Sequence, residues 1–410
     1  MTRWLVAALV AAAAVVLVIT VGGGDEGGDA RSRAAHDRAG EHLAALQRIA
    51  DGHGGTRAAG TPGDRATSDY LVEQLRADGY RVRTQKFRVP VYRVKRQPSL
   101  VVDGRPVKEI HAFQFSPSGR VTGRVRAISG LGCRARDFRL LQPGEIALAR
   151  RGECLFVIKA ALARRAGARA VLIANDQPGP TPGSLYQPRD GIPVIGVTRD
   201  ARLDGRRATV NVQAGSVNRE TLNVIAETGP ADADRVVMAG AHHDSVPQGP
   251  GLNDNGSGTV ALLTIAEHVD ADRLPSGTAL RLGFWGAEEI GLVGSREYVN
   301  GLGPEQRRRI VAYMNLDMVG SPGAEPAVYD TGNRVEAMLR RHLPRDAPQE
   351  RLEGNSDHAS FETYDIPTGG IFTGLDDCYH EACDRLRNVD RAVLAQSTRA
   401  AEAALLDLAR

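Results

Sequence analysis

Ionisable side chains of the kinds that bind metal ions follow several predicted β-strands at their carboxyl ends. The strands VVMAGA, ALRLGFW, IVAYMNL and GGIFTG are each followed by such residues, and the Gly-rich turn GPGLNDNGSG supplies one more. The residues come from five segments that lie far apart in the sequence: His242-His243-Asp244, Asp254, Glu288-Glu289, Asp317 and Tyr379-His380. Because active sites of open α/β sheets lie just beyond the carboxyl ends of the strands, we expect these side chains to meet at one edge of a sheet.

The chemistry of this set is that of a metal centre. Two histidines and three carboxylates form a mixed nitrogen and oxygen set that suits zinc, with cobalt or manganese as substitutes. The five candidate ligands are His242, Asp254, Glu289, Asp317 and His380. Three ligands and a water suffice for one catalytic zinc ion, whereas five ligands with Asp254 as a bridge can hold two ions roughly 3.5–4 Å apart. Any one of these residues alone is better explained as a cap or surface group, and a Glu pair as a solvated helix start, so the prediction depends on the whole set.

Strand geometry distinguishes the two adjacent histidines. His242 and Asp244 are two residues apart and share one face of an extended strand, whereas His243 faces the other side. Asp244 can therefore accept a hydrogen bond from the ring N–H of His242 that does not face the metal, and so fix the tautomer of that ring. We expect His242 to be a ligand and His243 to be structural.

The elements that must position these residues alternate between strand and helix. Residues 36–80 are predicted to be helical, and residues 216–410 alternate strands with helices, which indicates a mostly parallel sheet. Between them, short strands separated by Gly and Pro surround one helix, FVIKAALARRAGA. We therefore predict an α/β fold with a mostly parallel mixed sheet sandwiched by helices. The predicted main domain comprises residues 36–95 and 216–410, and a β-rich insertion comprises residues 96–215.

The N-terminus predicts export. Arg3 precedes an uncharged, mostly apolar run at residues 4–21, and a Gly-rich acidic stretch, GGGDEGGDA, follows the run. Such a run is long for a signal-peptide core and slightly short for a spanning helix, and its flanking charges favour an exported body. Residues 1–35 are therefore expected to be a cleaved signal peptide or a single membrane anchor with a linker. Either one places the protein outside the cell or in the cell envelope.

The cysteines agree with an oxidising compartment. The chain has four of them in two close groups, Cys133 with Cys154 and Cys378 with Cys383, which suits two local disulfides. A zinc site built from cysteine is the alternative, but neither group has the CxxC spacing of such sites. The chain also carries 52 Lys and Arg residues against 49 Asp and Glu, without basic runs, so we expect no nucleic acid or other strong polyanion as a partner.

The insertion resembles a protease-associated (PA) domain. The resemblance is carried by four stretches: GEIALARRGEC at residues 144–154, Phe156 with Lys159, Ala166-Gly167-Ala168, and Val171-Leu172-Ile173. Domains of this kind are non-catalytic, which agrees with the lack of a cluster of histidines and paired carboxylates in this part of the sequence. We expect the lone His111 to be a surface or packing residue.

The rest of the chain resembles the zinc aminopeptidases of peptidase family M28, bacterial branch. The stretches that carry the resemblance are GAHHDSV with GPGLNDNGSG, FWGAEEIGLVGS, NLDMVG, SDHASF and CYHEACD, in this order. The family implies two zinc ions, with His242 and Glu289 as terminal ligands of separate metals and Asp254 as the bridge. Asp317 and His380 would complete the two sites. The substrates would be peptides with a free N-terminus, and we expect a monomer.

The resemblance also implies the roles of the residues around the metals. Glu288 would be the general base that takes a proton from the metal-bridging water, and Tyr379 would stabilise the oxyanion. Asp244 would accept a hydrogen bond from the ring N–H of the ligand His242 that does not face the metal. Asp357 and His358, in SDHASF, would also support the site without binding the metals.

Two departures from the family pattern limit what the resemblance implies. Asn355 stands where some relatives have an Arg that contacts the reacting group, and only three residues separate Gly374 from Cys378, where some relatives have a longer loop. Oxyanion stabilisation would then depend on the metals and Tyr379, and the preferred N-terminal residue does not transfer. The alternatives are a single-zinc glutaminyl cyclase, a carboxypeptidase-like relative and a non-catalytic receptor; the complete ligand set favours the aminopeptidase.

Overall fold

The computed structural model describes residues 26–188, 190–351 and 354–410. Its α-helices are α1 (Glu26–Gly52), α2 (Pro62–Ala77), α3 (Phe156–Arg165), α4 (Gly256–His268), α5 (Val293–Gly301), α6 (Pro304–Arg309), α7 (Arg334–His342), α8 (His358–Glu362) and α9 (Arg391–Ala409). Its β-strands are β1 (Arg81–Val102), β2 (Arg105–Val107), β3 (Ile110–Ala112), β4 (Gly119–Ala127), β5 (Ile146–Arg150), β6 (Ala170–Ala174), β7 (Val194–Val197), β8 (Arg207–Thr228), β9 (Arg235–His242), β10 (Thr278–Trp285), β11 (Ile310–Leu316), β12 (Ala327–Tyr329), β13 (Gln349–Glu350) and β14 (Thr368–Phe372).

The strands form one long mixed sheet that contains two parallel runs. Within the described residues the order is β13-β12-β14-β11-β9-β10-β8-β4-β5-β6-β7-β3, and β1 pairs with β8 and β2. The run β14-β11-β9-β10 is parallel, and so is the run β4-β5-β6-β7. Strand β8 is antiparallel to β1, β4 and β10 and separates the two runs. The predicted α/β fold with a mostly parallel mixed sheet is confirmed.

Helices cover both faces of the main part of the sheet. Alternate residues of β9 belong to different cores, as the period of two in a strand requires. Val237, Ala239 and Ala241 pack in the cluster that contains the apolar residues of α4, α7 and α9. Val236 and Met238 pack in the cluster formed with α5 and α8 on the opposite face. Because β9 is buried on both faces, its sequence is a continuous apolar run rather than an alternating one.

Two 22-residue strands, β1 and β8, connect the main domain to the insertion. They are antiparallel partners along their length, with register shifts between Val94 and Ser99. Leu222 of β8 lies in the core of the main domain, whereas Val210 of the same strand lies in a core of the insertion. The domain boundaries that we expect at residues 95/96 and 215/216 fall within these two strands, so the chain passes between the two parts as a paired ribbon.

Both predicted disulfides are present. Cys133 is bonded to Cys154 in the insertion, and Cys378 is bonded to Cys383 in the loop between β14 and α9. The predicted leader at residues 4–21 lies outside the described residues. Among the residues that the structure does describe, no helix is both long and apolar enough to cross a membrane.

Candidate metal centre

Neighbouring parallel strands bring the predicted site residues to one edge of the sheet. At the end of β9, His242 is the cross-strand partner of Trp285, which ends β10. The pair Glu288-Glu289 follows β10 within a few residues, and Asp317 directly follows β11, the neighbour of β9 on its other side. Since parallel strands end at the same edge, these side chains converge as the sequence predicts.

The five predicted ligands meet in two groups that share Asp254. In the first group, His242 Nε2 lies 3.2 Å from Asp254 Oδ1 and 3.4 Å from Asp317 Oδ1. In the second group, His380 Nε2 lies 3.2 Å from Asp254 Oδ2 and 3.1 Å from Glu289 Oε2. The possible ligand atoms within each group all lie within 4.8 Å of one another. Each carboxylate oxygen of Asp254 therefore faces a different histidine.

The turn that carries Asp254 is held by backbone hydrogen bonds to a buried carboxylate. The backbone N–H groups of Asn253 and Asp254 donate to Asp384 at 2.8 and 3.0 Å. Asn255 then caps α4, because its side-chain oxygen accepts the N–H of Gly258 at 2.9 Å. The peptide bond between Asp254 and Asn255 is cis. The hydrogen bonds to Asp384 and the cap of α4 thus hold the backbone of Asp254 in place.

The charges of the two groups show that they fit cations. Within the described residues, Glu289 Oε1 and Asp317 Oδ1 are buried and accept no hydrogen bond. Burial raises the pKa of Glu289 to about 7, and the neighbouring Asp254 acts in the same direction. Burial acts against the charge of His380 as well, but Glu289 and Asp254 raise the pKa of this imidazole to about 11. Buried carboxylate oxygens without donors, together with imidazole nitrogens, form a donor set that suits zinc.

Asp244 contacts both the predicted ligand His242 and the predicted base Glu288. His242 Nδ1 lies 3.2 Å from the main-chain oxygen of Asp244 and 3.6 Å from its carboxylate Oδ1. The same Oδ1 accepts the backbone N–H of Glu288 at 3.0 Å. The hydrogen bond of the ring is thus accepted by the main-chain oxygen, whereas the strand geometry predicts the carboxylate, which lies beyond hydrogen-bond distance. Asp244 ties the strand end of β9 to the loop that carries the predicted base.

Glu288 and Tyr379, the two other predicted catalytic residues, border the ligands. Glu288 Oε2 lies 3.8 Å from His242 Nε2, and burial raises the pKa of this carboxyl well above its ordinary value. The Tyr379 ring stacks on the His380 ring, with centroids 3.8 Å apart. Burial, followed by the charge of Asp254, raises the pKa of the Tyr379 hydroxyl, which therefore stays protonated and can donate.

His243 points away from the metal groups, as the strand alternation predicts. Its Nε2 lies 3.1 Å from Asp64 Oδ1 and 3.0 Å from Ser68 Oγ, two residues on α2. Asp64 also accepts the backbone N–H of Gly60 at 2.8 Å. His243 therefore fastens the helix α2 to the strand that carries His242.

Several residues from other segments form hydrogen bonds to the backbone around the site, and they were not predicted from the sequence. Arg57 is fully buried, and its guanidinium donates to the carbonyl oxygens of Pro250 at 2.9 Å, of Gly251 at 2.6 Å and of His243. It thereby holds the turn that leads into Asp254. Arg57 and Asp384 stand in irregular loops without a periodic pattern. The available signals were a charged residue in a Gly-rich stretch for Arg57 and the CYHEACD stretch that carries the family resemblance for Asp384.

Several residues at or beside the ligands have a left-handed backbone. The φ angles of Ala287, Met318 and His380 are 60°, 51° and 61°. Ala287 precedes the Glu288-Glu289 pair, and Met318 follows Asp317. Non-glycine residues in this region cost roughly 1–3 kcal/mol each and persist where the surrounding structure demands them, often at functional sites. Here all three stand at or next to a candidate ligand or the predicted base.

Comparison with known families identifies both parts of the chain. The sequence pattern described as peptidase family M28 matches residues 223–405, and that of the PA domain matches residues 121–204. A probable lipoprotein aminopeptidase of Mycobacterium tuberculosis, LpqL, is 35% identical over an alignment that covers 89% of this chain and 83% of the relative. An aminopeptidase of Pseudomonas aeruginosa is 36% identical, and the alignment covers 86% of this chain and 77% of that one.

Solved structures agree with these sequence matches. An aminopeptidase from Aneurinibacillus superposes with a TM-score of 0.80 at 29% identity and covers 91% of this chain and 95% of its own. BSAP, a zinc aminopeptidase from Bacillus subtilis, superposes with a TM-score of 0.73 at 27% identity, and the coverage is 90% and 94%. The chain therefore belongs to peptidase family M28, as an aminopeptidase of that family with an inserted PA domain.

Proposed function

We propose that the chain is an exported two-zinc aminopeptidase that removes single residues from the N-termini of peptides. The observation that carries the proposal is Asp254, whose two carboxylate oxygens face His242 and His380 at 3.2 Å each. A carboxylate in that position fits a bridge between two ions. His242 with Asp317 would complete one ion's ligands, and His380 with Glu289 would complete the other's.

The residues around the ligands have the chemistry that peptide hydrolysis requires. When bound, two zinc ions supply Lewis-acid polarisation of the peptide carbonyl and lower the pKa of a water molecule. Glu288 takes the proton from the attacking water and returns a proton to the leaving amine, a role that suits a carboxyl whose pKa is raised. The protonated Tyr379 hydroxyl donates to the oxygen on which negative charge develops.

The site also supports a preference for free N-termini. Carboxylates outnumber the cationic side chains at this edge of the sheet, and Glu288, Asp357 and Glu289 are all buried or half-buried there. A free α-amine at this position would contact a metal ion and these carboxylates, whereas the acylated nitrogen of a blocked N-terminus is not basic and makes neither contact. Export is supported by the predicted leader, by the two disulfides and by the relative described as a lipoprotein aminopeptidase.

Metal analysis of the purified protein tests the proposal. We expect two zinc ions per chain, reversible loss of activity with a chelator, and turnover of leucine nitroanilide but not of its N-acetyl derivative. Asp254→Ala should lose both ions, whereas His380→Ala should lose one. His111→Ala, a histidine of the insertion outside the metal groups, is the matched control and should keep both. One ion per fully active chain would rule out the two-zinc site.

A further inference from the structure

The near balance of charge in the whole chain, from which no strong polyanion is expected as a partner, conceals an unequal distribution between the two parts. The insertion, residues 96–215, carries 20 Lys and Arg residues against 9 Asp and Glu, whereas the rest of the chain carries 32 against 40. Strand β1 alone contains seven Lys and Arg residues and no acidic residue. Such an asymmetry between parts of a chain indicates that the basic part faces an anionic partner.

Three arginines of the insertion lie on one face of the sheet that β4 forms with β8. Cross-strand partners of this antiparallel pair point to the same side, and buried residues alternate with exposed or half-buried ones along both strands. The buried residues, among them Val121 and Val210, pack in a core of the insertion. The residues on the other side are here called the basic face: Arg120, Thr122 and Arg124 of β4, with their partners Asn211, Thr209 and Arg207 of β8.

The arginines of the basic face have no carboxylate partner among the described residues, although other basic residues of the same strands and loops do. Arg206, which directly precedes β8, pairs with Asp103. Lys86, at the main-domain end of β1, pairs with Glu220 at 3.1 Å. All three arginines of the basic face are exposed. Their charges are therefore not compensated within the described part of the protein and are available to an external anion.

The shape and spacing of the basic face determine the kind of anion that fits it. Arg207 lies opposite Arg124, whereas Arg120 stands four residues along the strand, at roughly 13 Å. Since this separation exceeds the Debye length of about 8 Å at physiological ionic strength, one small anion cannot match all three charges. The face is the open side of a sheet and contains no aromatic ring, whereas single-stranded nucleic acids bind in grooves with aromatic side chains. A flat array of anions fits it better.

We propose that the basic face is a docking surface for the anionic phospholipid headgroups of a membrane. The phosphate groups of a bilayer form a flat array of negative charges, and each Lys or Arg near such a surface strengthens binding about fivefold. The same surface repels the main domain, in which acidic residues are in excess, so the protein should bind through its insertion. The predicted export would bring the protein to the outer side of a membrane. The docking surface does not depend on the proposed metal centre.

Partition of the full chain onto lipid vesicles tests the proposal. Vesicles of phosphatidylcholine that contain phosphatidylglycerol are compared with vesicles of phosphatidylcholine alone, by sedimentation at lipid concentrations that bind less than half of the protein. The ratio of the two partition coefficients cancels the contribution of any apolar segment, because both kinds of vesicle accept such a segment. Arg120→Gln/Arg124→Gln/Arg207→Gln should lower this ratio about 100-fold. Salt at about 1 M, where the Debye length is about 3 Å, should lower the ratio of the parent protein towards one.

The matched control, Arg308→Gln/Arg345→Gln/Arg399→Gln, removes three exposed arginines of the main domain and changes the net charge by the same amount. It should leave the ratio nearly unchanged. Both triple variants should keep the melting temperature of the parent protein and its turnover of leucine nitroanilide, because the replaced side chains are exposed and lie outside the metal groups. An equal loss in both variants would show that only the net charge matters, and an unchanged ratio in the variant of the basic face would overturn the docking surface.

Inorganic polyphosphate in solution separates a membrane from a free polyanion. Under the proposal, the parent protein prefers the vesicles that contain phosphatidylglycerol, and the variant of the basic face loses this preference. A parent protein that binds polyphosphate through the basic face but shows no preference between the two kinds of vesicle would show that the partner is a soluble polyanion, and the assignment to a membrane would be wrong.

Discussion

Buried charged groups occur in both the insertion and the main domain, but the buried carboxylate oxygens that accept no hydrogen bond lie, among the described residues, in the main domain. Lys159 is fully buried in the insertion, and its ammonium group donates to Leu131 O at 2.5 Å and Gly152 O at 2.9 Å, with Cys133 Sγ at 3.4 Å. In the main domain, Glu289 and Asp317 each keep a buried oxygen that accepts no hydrogen bond within the described residues. A paired buried charge stabilises local structure, whereas unpaired carboxylate oxygens in a cluster indicate a site for cations.

The difference does not arise from the architecture. Both parts contain a parallel run of strands, and in both the strand ends point to loops. All the groups of potential metal ligands found in the described residues nevertheless lie in the main domain. The chemistry therefore depends on which side chains follow the strands, and the insertion can keep a similar layout without a reactive centre.

The largest effect should come from the predicted general base in the main domain. Glu288→Gln keeps the shape of the side chain but cannot take a proton, so we expect kcat to fall at least about 10²–10⁴-fold while both zinc ions stay bound. Glu289→Ala should instead lose zinc. Steady-state kinetics with metal analysis measures both. Near-normal kcat in Glu288→Gln would show that another residue is the base.

The second prediction concerns the stability of the zinc-free protein. Burial raises the pKa of Glu289 and of Asp357 to about 7, and that of Asp384 to about 6. A carboxyl whose pKa is raised on folding stabilises the folded state while it is protonated, and this stability is lost as the pH rises through the raised pKa. The zinc-free protein should therefore melt at a lower temperature at about pH 8 than at about pH 5.

Zinc should reduce this pH dependence, because an ion takes the place of the proton on Glu289, whereas Asp357 and Asp384 are not proposed ligands. Melting curves with and without zinc at both pH values measure the effect. A matched titration of Glu289→Gln should show a smaller pH dependence than the parent protein. A zinc-free protein that is more stable at about pH 8 than at about pH 5 would show that the pKa values of these carboxyls are not raised on folding.

The sequence predicts the strand-end residues well because their positions follow from local rules. His242, Asp317 and the Glu288-Glu289 pair each follow an apolar strand, and the two-residue period places His243 on the opposite face. The residues that support them cannot be predicted by the same rules. Arg57 lies 186 residues from His243 and 194 from Gly251, and Ser356 lies 39 residues from Asp317, and no local pattern relates them to the residues that they contact.

The passage between the two parts was also hard to predict. The sequence pattern changes near residues 96 and 215, between which short predicted strands are separated by Gly and Pro, and this change indicates two domains. Strands β1 and β8 nevertheless continue across both positions. The burial of β8 changes along the strand: residues 207–214 alternate, residues 217–220 are exposed and residues 221–226 are buried on both faces. The change from one core to the other therefore occurs inside an unbroken strand, where a search for turns and loops between domains does not find it.

The two disulfides provide the third comparison between the parts. In the loop-entropy model, a ring with a sequence separation of 5 contributes about 2 kcal/mol and one with a separation of 21 about 3 kcal/mol. The smaller ring, Cys378–Cys383, encloses Tyr379 and His380. The His380 side chain is 40% exposed, against 1% for His242, so this loop is the part of the metal centre with least support from packing.

Replacing each pair by serine should therefore have opposite consequences. Cys378→Ser/Cys383→Ser should lower zinc affinity and kcat more than it lowers the melting temperature. Without the disulfide the loop is mobile, and it loses conformational entropy when the metal binds. Cys133→Ser/Cys154→Ser should lower the melting temperature with little change in kcat. Equal catalytic loss from the two pairs, or none from the pair beside His380, would leave both disulfides as simple stabilising cross-links.

The smallest effect on the chemistry should come from removing the insertion, which we predict to limit the access of large substrates. Val94 and Ala214 are cross-strand partners in the β1–β8 ribbon, so an Asn-Gly turn can join the strands there in place of the residues between them. Ile290, next to the proposed ligand Glu289, packs against a core of the insertion and would become exposed. The shortened protein should retain both zinc ions and turn over leucine nitroanilide normally, while its activity on long peptides rises relative to dipeptides. Unchanged preference for peptide length, with both ions present, would show that the insertion does not control access to the site.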